Sequence, residues 1–296
     1  MELVPLGPGF GVEVRGVSLL DVASSAAAYD AVRAAFEEHS ILLFRDQTVT
    51  DDIQCAYSRA FGPLELTKVA SVGTGTFYAR ITNIGPDGTL VPPTHRQSLT
   101  ARANQLWHTD SSFKTTAALA SVLSARILPN DGGETQFTST RLAWERLPPA
   151  MQDTLRDRVV THSYANSRGQ IDPTMMTAAE HASLPPVRWR MTWRNPANDR
   201  RSLYVASHAY AIDGMGDNEA KALLARLIED ATRPEYTYLH QWRAGDVVMW
   251  DNRATMHRGR PWPGNQTRSM VRTTISATDA DGLADMRPPT PLPRAA

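Results

Sequence analysis

Two short segments contain residues of the types that bind metal ions. Residues 107–113 include His108 and Asp110, and residues 250–259 include His257. If residues 107–113 form a strand, His108 and Asp110 point to the same face and can share one ion. Two histidines and one carboxylate form the facial ligand set of non-haem Fe(II), and zinc accepts the same ligands. The residue types therefore indicate a mononuclear metal site without choosing between these two metals; the alternative for the first segment is a histidine that only hydrogen-bonds to a nearby aspartate.

Two arginines that follow His257 indicate what this site would bind. Arg268 lies eleven residues after His257, and Arg272 lies four residues further on. On a strand from residue 268 to 276, both guanidinium groups project from one face, together with Met270. Two buried cations are costly unless each meets an anion, and the planar guanidinium matches carboxylates through paired hydrogen bonds. The spacing favours a cavity for two acid groups over the alternative, two surface arginines on an exposed strand face.

Other residues near these segments extend the candidate pocket. Thr135, after two glycines, can donate its hydroxyl to a carboxylate, although a plain strand residue is the simpler interpretation. Trp107 and Trp250 adjoin the ligand segments and can form pocket walls, or they belong to the core. Residues 251–272 contain five arginines and one acid, which predicts a local cationic pocket.

The composition excludes several classes of protein. The chain has 296 residues, with 31 basic and 31 acidic side chains and a formal net charge of zero. This balance argues against binding to nucleic acid or to an anionic membrane. Cys55 is the one cysteine, so neither an internal disulfide nor a cysteine-rich zinc site is expected. The sequence also lacks a signal-peptide pattern and a long apolar run, so we expect a cytoplasmic protein.

Hydrophobic periodicity predicts the elements that position these residues. Helices are predicted over residues 26–39, 142–158 (interrupted at the two prolines 148–149) and 217–231, and another helix begins at Thr50. Strands are predicted at residues 41–44, 79–83, 120–128, 159–164, 202–207, 247–250 and 269–276. Many short strands without βαβ alternation favour a mainly β fold with helical decoration, as a sandwich or jelly roll. We expect one domain over residues 1–285 and an extended proline-rich tail over residues 286–296.

The order of the candidate residues resembles a known family. His108-x-Asp110, Thr135, His257 and Arg268 resemble, in order and interval, the Fe(II)/2-oxoglutarate-dependent dioxygenases of the taurine dioxygenase and 2,4-dichlorophenoxyacetate dioxygenase group. The similarity extends from residues 10–17 through 61–64 to the final arginines, so it covers nearly the whole chain. It implies a double-stranded β-helix (jelly-roll, cupin-like) core and a homodimer or homotetramer. Residues 103–113, 166–168 and 248–253 are most similar to the herbicide-degrading branch.

The resemblance also implies a role for each matching residue. Fe(II) would be held by His108, Asp110 and His257, and the distal carboxylate of 2-oxoglutarate would be bound by Thr135 and Arg268. Arg272 would hold the anionic group of the primary substrate, and the further substrate contacts would be Asn104, Lys68, Ser167, Arg168 and Trp250. A second substrate-binding lysine of that branch is replaced near Thr89.

The implied reaction consumes O₂ and 2-oxoglutarate and yields succinate and CO₂ while a small anionic substrate is hydroxylated. If the hydroxylated carbon carries an ether oxygen, as in an aryloxyalkanoate, the ether is cleaved. A sulfonate dioxygenase would differ only in the anion that Arg272 holds. Two alternatives belong to other classes. A zinc hydrolase would need a general base, yet the sequence has no His-Glu-x-x-His signature. A non-catalytic jelly-roll binding protein would not need buried arginines beside metal ligands.

Overall fold

The computed structural model describes residues 1–67 and 75–289 and shows a sheet-rich fold with helices, as the sequence predicts. The strands are β1 (Glu2–Pro5), β2 (Val12–Arg15), β3 (Ile41–Phe44), β4 (Ala79–Thr82), β5 (Ala118–Ile127), β6 (Thr135–Ser139), β7 (Val159–His162), β8 (Val187–Arg190), β9 (Thr192–Arg194), β10 (Arg201–Leu203), β11 (Ala209–Ile212), β12 (Thr237–His240), β13 (Val247–Asp251), β14 (Thr255–Gly259) and β15 (Ser269–Ser276).

The helices connect or flank these strands. They are α1 (Leu19–Ser24), α2 (Ala26–His39), α3 (Asp51–Phe61), α4 (Arg96–Ala103), α5 (Thr140–Arg146), α6 (Pro149–Leu155), α7 (Tyr164–Gly169), α8 (Ala178–Ser183), α9 (Asp217–Ala231) and α10 (Leu283–Met286), with 3₁₀ turns at Pro234–Tyr236 and Asp279–Asp281. None of the helices in the described ranges is long and apolar enough to cross a membrane.

The largest sheet has the strand order β1-β2-β3-β13-β5-β15-β4, and its centre is buried on both faces. In β3, Leu42 and Phe44 face the helical layer of α2 and α3, whereas Ile41 and Leu43 face the opposite side, where Phe137 of β6 packs. Burying an aliphatic side chain on each face contributes roughly 1.5–3 kcal/mol per residue. The continuous apolar run of β3 therefore forms a central strand with no polar face.

A smaller sheet of order β12-β6-β14 covers one face of the large sheet. Phe137 at the centre of β6 stacks on Tyr238 of β12 and on His257 of β14. The two sheets therefore enclose the segment that contains His257. A third sheet, β11-β7-β8, is formed by strands that follow β6 in the chain. His162 ends β7, and helix α7 begins two residues later.

Most of the predicted elements are confirmed. Helices α2 and α9 and strand β15 have the predicted bounds, and the helix predicted at Thr50 begins there because the Thr50 hydroxyl accepts from the Ile53 amide. The strand predicted at 159–164 ends at His162, since Ser163 caps helix α7. The strand predicted at 202–207 is only β10, because the Tyr204 and Ser207 amides donate to Met191 and Trp107 carbonyls outside the ladder.

The C-terminal boundary differs from the prediction by one residue. Met286, predicted to begin the tail, ends helix α10 and is 1% exposed in the core that includes Leu283. Residues 290–296, the rest of the predicted tail, lie outside the described residues.

Arg253 belongs to a buried ion cluster, which corrects the predicted cationic pocket. Its guanidinium donates to Asp251 at 2.9 Å and to Glu37 of α2 at 2.7 Å, and it is 1% exposed. Arg258 stacks on Trp107 instead of facing the candidate ligands. The arginine-rich composition of residues 251–272 therefore does not place all five cations at one site, because Arg253 lies in the turn between β13 and β14 and Arg258 lies on β14, whereas Arg272 lies on β15 of the other sheet.

We expect Glu37→Gln to lower the free energy of unfolding at pH 7 by about 3 kcal/mol, because it leaves the Arg253 cation buried with one fewer charged partner. Chemical denaturation measures the change. Glu38→Gln is the matched control, since the side chain of Glu38 is mostly exposed and pairs with Arg200 at the surface. Equal stability of the two variants would show that this cluster does not stabilise the fold.

Candidate metal centre and ligand cavity

His108, Asp110 and His257 converge on one point. One candidate ligand atom from each residue lies within 4.8 Å of the others. The His108 Nε2 to Asp110 Oδ1 distance is 4.0 Å, and the His257 Nε2 to Asp110 Oδ2 distance is 3.7 Å. All three side chains are more than nine-tenths buried. Among the described residues, this is the arrangement of histidine and acidic groups that fits a metal ion.

The backbone brings these residues together in a way that differs from the predicted strand. His108 and His257 exchange backbone hydrogen bonds of 3.0 and 2.8 Å in an isolated antiparallel bridge. Asp110 lies at the start of a turn after this bridge, and Ser111 takes a positive φ of 55°. The period-two argument for His108 and Asp110 is therefore wrong in mechanism, although the two side chains do meet.

The protonation of the three residues suits a divalent cation. His108 Nδ1 lies 2.7 Å from the Leu106 carbonyl, so Nδ1 carries the proton and Nε2 keeps its lone pair for the site. Burial lowers the pKa of both His108 and His257, which keeps the imidazoles neutral. Burial raises the pKa of Asp110, but the Arg272 guanidinium, assisted by the hydrogen bond from Ser121, outweighs it and holds that pKa well below its usual range. Two neutral nitrogens and one carboxylate result.

Two residues that the sequence did not single out hold Asp110 in place. Ser121 Oγ donates to Asp110 Oδ2 at 2.7 Å, and Asn252 Oδ1 accepts from the Asp110 amide at 3.1 Å. Asn252 Nδ2 also donates to Ser121 Oγ at 3.0 Å, which closes the network. Asn252 could have been identified from the sequence, because it lies in the segment that precedes His257. The role of Ser121 could not, because it follows from the pairing of β5 with β13.

Trp250 packs beside the candidate metal ligands and does not form part of a substrate wall, which corrects its predicted role as a substrate contact. Its indole is 1% exposed, packs 4.5 Å from the His257 ring centroid and donates to Asn252 Oδ1 at 3.1 Å. The physical reason is the strand alternation of β13, which turns Trp250 towards Phe137 in the core between the sheets.

Arg268 supplies a buried cation close to the small sheet. Its Nη2 donates to the Gly133 carbonyl at 2.9 Å, and its Nε is buried without a hydrogen-bond partner. No carboxylate of the described residues lies within 4.0 Å of its guanidinium, and burial lowers the pKa of Arg268 to about 10. A Cβ at Gly133 would lie 2.9 Å from Arg268 Nε, so only glycine permits this approach. A desolvated guanidinium without an acid partner is an anion site.

A cavity of about 570 Å³ opens above His108 and Asp110. Of the predicted substrate contacts, Asn104, Arg168 and Arg272 line it. Ser167 lies away from the cavity, 1% exposed, with its Oγ 3.4 Å from Ser207 Oγ, because the helical turn of α7 directs Arg168 inwards instead. Lys68 lies outside the described residues.

Five cationic side chains of the described residues line this cavity, and three of them, Arg80, Arg96 and Lys114, each pair with an acidic side chain. Arg272 Nη1 donates to Asp110 Oδ1 at 2.6 Å, while its Nε is buried without a hydrogen-bond partner. Arg168 is 8% exposed, stacks 4.5 Å above the Tyr164 ring and also has an unpartnered Nε. Within the described ranges, no carboxylate lies within ion-pair distance of Arg168. The cavity therefore offers the buried guanidinium of Arg168 in addition to the partly exposed one of Arg272, which contacts the candidate metal ligand.

Aromatic residues that the sequence did not single out complete the walls. Phe113 lies 4.6 Å from Tyr164 and 4.9 Å from His208 between ring centroids, and all three line the cavity. His208 is buried, and burial lowers its pKa well below the ordinary value, so it is neutral. No local sequence signal marks His208, because its neighbour Ser112 is 96 residues away along the chain.

The outer wall comes from helices outside the two sheets. Residues of α4, α7 and α8 line the cavity, and an Arg96–Glu180 ion pair joins α4 to α8. The inner wall comes from β15, which pairs with β5 over eight residues and with β4 over four. Arg272 lies on this strand and Arg268 directly precedes it.

Two histidines and a carboxylate beneath an open cavity, with buried arginines beside them, define the class of the facial-triad non-haem iron oxygenases. The chain belongs to the family described as taurine catabolism dioxygenase TauD, TfdA family, whose model matches residues 2–274. The predicted family is confirmed, and so is the enzyme class: an oxidoreductase that uses Fe(II), 2-oxoglutarate and O₂.

Individual relatives are similar over almost their full length. The alpha-ketoglutarate-dependent 2,4-dichlorophenoxyacetate dioxygenase of Cupriavidus pinatubonensis is 37% identical over 91% of this chain and 96% of its own. The (S)-phenoxypropionate/alpha-ketoglutarate-dioxygenase of Sphingobium herbicidovorans is 32% identical over 96% of this chain and 97% of its own. The crystal structure of AAD-2 in complex with Mn(II) and N-oxalylglycine aligns with a TM-score of 0.86 at 36% identity, covering 94% of this chain and 98% of that one.

Proposed function

We propose that this dioxygenase hydroxylates a small carboxylate that carries an aromatic ring, such as an aryloxyalkanoate. The observation that carries the proposal is the cavity of about 570 Å³, which combines His108 and Asp110, the guanidinium groups of Arg168 and Arg272, and aromatic walls in one space. Cavities of this size enclose small organic ligands. The relatives named for 2,4-dichlorophenoxyacetate and (S)-phenoxypropionate support this class of substrate.

The first part of the proposal assigns the metal ligands. His108, Asp110 and His257 hold Fe(II) through His108 Nε2, an Asp110 carboxylate oxygen and a nitrogen of His257. Their neutral imidazoles and ionised carboxylate fit the donor set, Ser121 orients the carboxylate, and Asn252 holds the backbone amide of Asp110. Bound iron supplies activation of O₂ coupled to oxidative decarboxylation of 2-oxoglutarate to succinate and CO₂.

The second part assigns the co-substrate site. Arg268 and Thr135 bind the distal carboxylate of 2-oxoglutarate, because the Arg268 guanidinium is buried and contacts the Gly133 carbonyl, two residues before Thr135, which is itself 3% exposed. This charge-assisted contact fixes one end of the co-substrate while the other end reaches the metal ligands. One oxygen atom of O₂ enters succinate and the other enters the substrate. 2-Oxoglutarate and the substrate therefore lose two electrons each.

The third part assigns the substrate pocket. Arg272 and Arg168 bind the carboxylate of the primary substrate, and Phe113 and Tyr164 contact its ring. Asn104 lies on the same wall, and we retain Lys68 as a further contact. Hydroxylation of the carbon beside an ether oxygen gives a hemiacetal, which collapses to a phenol and a carbonyl compound. The buried residues orient this carbon and exclude water.

The test of the proposed function is succinate formation with a panel of acids. We expect succinate and phenol to form in equal amounts from aryloxyalkanoates, with dependence on Fe(II) and 2-oxoglutarate. Alkyl sulfonates of similar size represent the alternative substrate class, and alkanoates without a ring test the aromatic contacts. Turnover of sulfonates but not of carboxylates would overturn the substrate assignment.

We expect Arg272→Ala to raise the KM for the primary substrate about 10- to 100-fold, because one charged hydrogen-bond donor is lost from a largely buried site. The KM for the co-substrate should change little. Arg168→Ala should act in the same direction, and Arg102→Ala, an exposed arginine near the cavity, is the matched control. Since Arg272 also contacts Asp110, metal affinity is measured in parallel. A larger effect on the co-substrate than on the primary substrate would contradict the assignment.

We also propose that the two sheets form the double-stranded β-helix core of a single domain, which extends the predicted range 1–285 by Met286, and that the protein is a cytoplasmic homo-oligomer. The packing of β12-β6-β14 against the large sheet and the alignment with AAD-2 support the core. The absence of net charge supports a partner that is a second copy or a small acid and not nucleic acid. Light scattering of the purified protein measures the assembly.

A further inference from the structure

Thr135, the proposed co-substrate ligand, has a neighbour whose contact is not yet explained. Trp242, two residues after β12, donates its indole Nε1–H to Thr135 Oγ1 at 3.0 Å. The indole is a donor only, so the threonine oxygen must accept in this contact. Within residues 1–67 and 75–289, the indole is also the hydrogen-bond partner that the structure gives to this hydroxyl.

This contact restricts the orientation of the hydroxyl. A threonine hydroxyl has one hydrogen and two acceptor lone pairs, and its hydrogen rotates to suit its partners. When the indole occupies one lone pair, the hydrogen must point elsewhere. Trp242 therefore makes Thr135 a donor towards any further partner, which is the role that a carboxylate requires.

A series of contacts through His240 restricts the position of the Trp242 ring. Its ring packs edge-to-face against His240, with 4.4 Å between centroids and an interplanar angle of 88°. His240 is fully buried between the Tyr238 hydroxyl, 3.0 Å from Nδ1, and Asp246, whose Oδ2 lies 3.2 Å from Nε2. Arg45 donates to Asp246 Oδ2 at 2.8 Å. This row of contacts runs from the molecular surface at Arg45 to Thr135 and leaves the indole little freedom.

We propose that Trp242 is a positioning residue for the co-substrate: its indole N–H orients the Thr135 hydroxyl so that the hydroxyl donates to the distal carboxylate of 2-oxoglutarate. This inference rests on the proposed function of Thr135 and Arg268. It predicts that the indole nitrogen matters only through Thr135, whereas a packing role would not depend on that hydroxyl.

The test is a double-mutant cycle that uses N-oxalylglycine binding to the Mn(II)-loaded enzyme, measured by calorimetry. Trp242→Phe keeps an aromatic ring and removes the N–H, and we expect about 3- to 10-fold weaker binding. Thr135→Val should weaken binding by at least as much. In the Thr135→Val background, Trp242→Phe should cause no further loss, because the hydroxyl that it orients is gone. In the Thr135→Ser background the penalty should persist.

Two readouts separate positioning from general destabilisation. In steady-state assays, Trp242→Phe should raise the KM for the co-substrate while kcat and the KM for the primary substrate change little. Trp144→Phe is the matched control, since Trp144 is buried in a different cluster on α5. Thermal unfolding shows that each variant is folded, and Thr135→Ser with Trp242→Phe repeats the measurement should the other double variant not fold.

The outcomes distinguish this inference from the function on which it rests. Additive losses in the cycle, or unchanged binding in Trp242→Phe alone, would overturn the positioning role and leave the site assignment intact. Unchanged binding in both Thr135→Val and Arg268→Ala would overturn the co-substrate assignment and the inference together.

Discussion

Replacing His257 with alanine should abolish metal binding and turnover. The three candidate ligand atoms lie within 4.8 Å of one another, so removing one leaves only two protein ligands. Loss of a residue that merely orients a ligand costs about 10- to 100-fold in metal affinity. We therefore expect loss of a ligand itself to weaken Mn(II) or Fe(II) binding more than about 100-fold, with no detectable succinate.

The control for this variant must separate metal loss from lost packing. The His257 ring contacts Trp250 and Phe137, so alanine also leaves a cavity between the sheets. His257→Leu fills the same space with an apolar side chain of similar size, and this variant should be equally inactive. His181→Ala, at an exposed histidine of α8, should bind metal normally. A His257→Ala enzyme that is iron-replete and active would refute the proposed ligand set.

Replacing Arg268 with alanine should raise the KM for the co-substrate about 100-fold or more and leave the KM for the primary substrate almost unchanged. Removing one partner of a buried charged hydrogen bond costs about 2–5 kcal/mol, much of it because the other partner stays buried and unpaired. The Arg268 guanidinium is buried, and Glu134, the carboxylate whose charge raises the pKa of Arg268, is not within ion-pair distance of it among the described residues. Its contribution should therefore lie at the upper end of that range.

Initial rates at varied 2-oxoglutarate concentration, with the primary substrate saturating, measure this effect. Arg260→Ala is the matched control, because Arg260 is exposed on the segment between β14 and β15. Arg268→Lys should recover part of the affinity, since it restores the charge but not the planar pair of donors. If the KM for the primary substrate rises instead, the roles of Arg268 and Arg272 are exchanged.

Long amphipathic segments and continuous apolar strands were predictable from local sequence because one strong pattern decides each of them. Helix α9 and strand β15 have the predicted bounds for this reason. Strand β10 was overestimated because backbone partners of residues 204–207 come from distant segments, which no local pattern records. The same applies to the turn at Asp110, where a single bridge to His257 replaces a strand.

The candidate site was predictable where residue type alone restricts the chemistry. Histidine, aspartate and arginine at these intervals have few other uses, and the structure brings His108, Asp110 and His257 together. Trp250 and Ser167 were misplaced because proximity to a motif in sequence does not fix the direction of a side chain. Ser121 and His208 were missed because their roles depend on contacts with residues far along the chain.

The cavity is lined on one side by β15 and on the other by the outer helices. Mutations on these two sides have different consequences in evolution. The arginines at and beside β15 are tied to a strand with neighbours on both sides, so backbone changes there would disturb the central sheet together with both proposed acid-binding sites. Helices α4, α7 and α8 contact the cavity from outside the two sheets. Selection can therefore remodel substrate preference in these helices while the reaction itself is inherited unchanged.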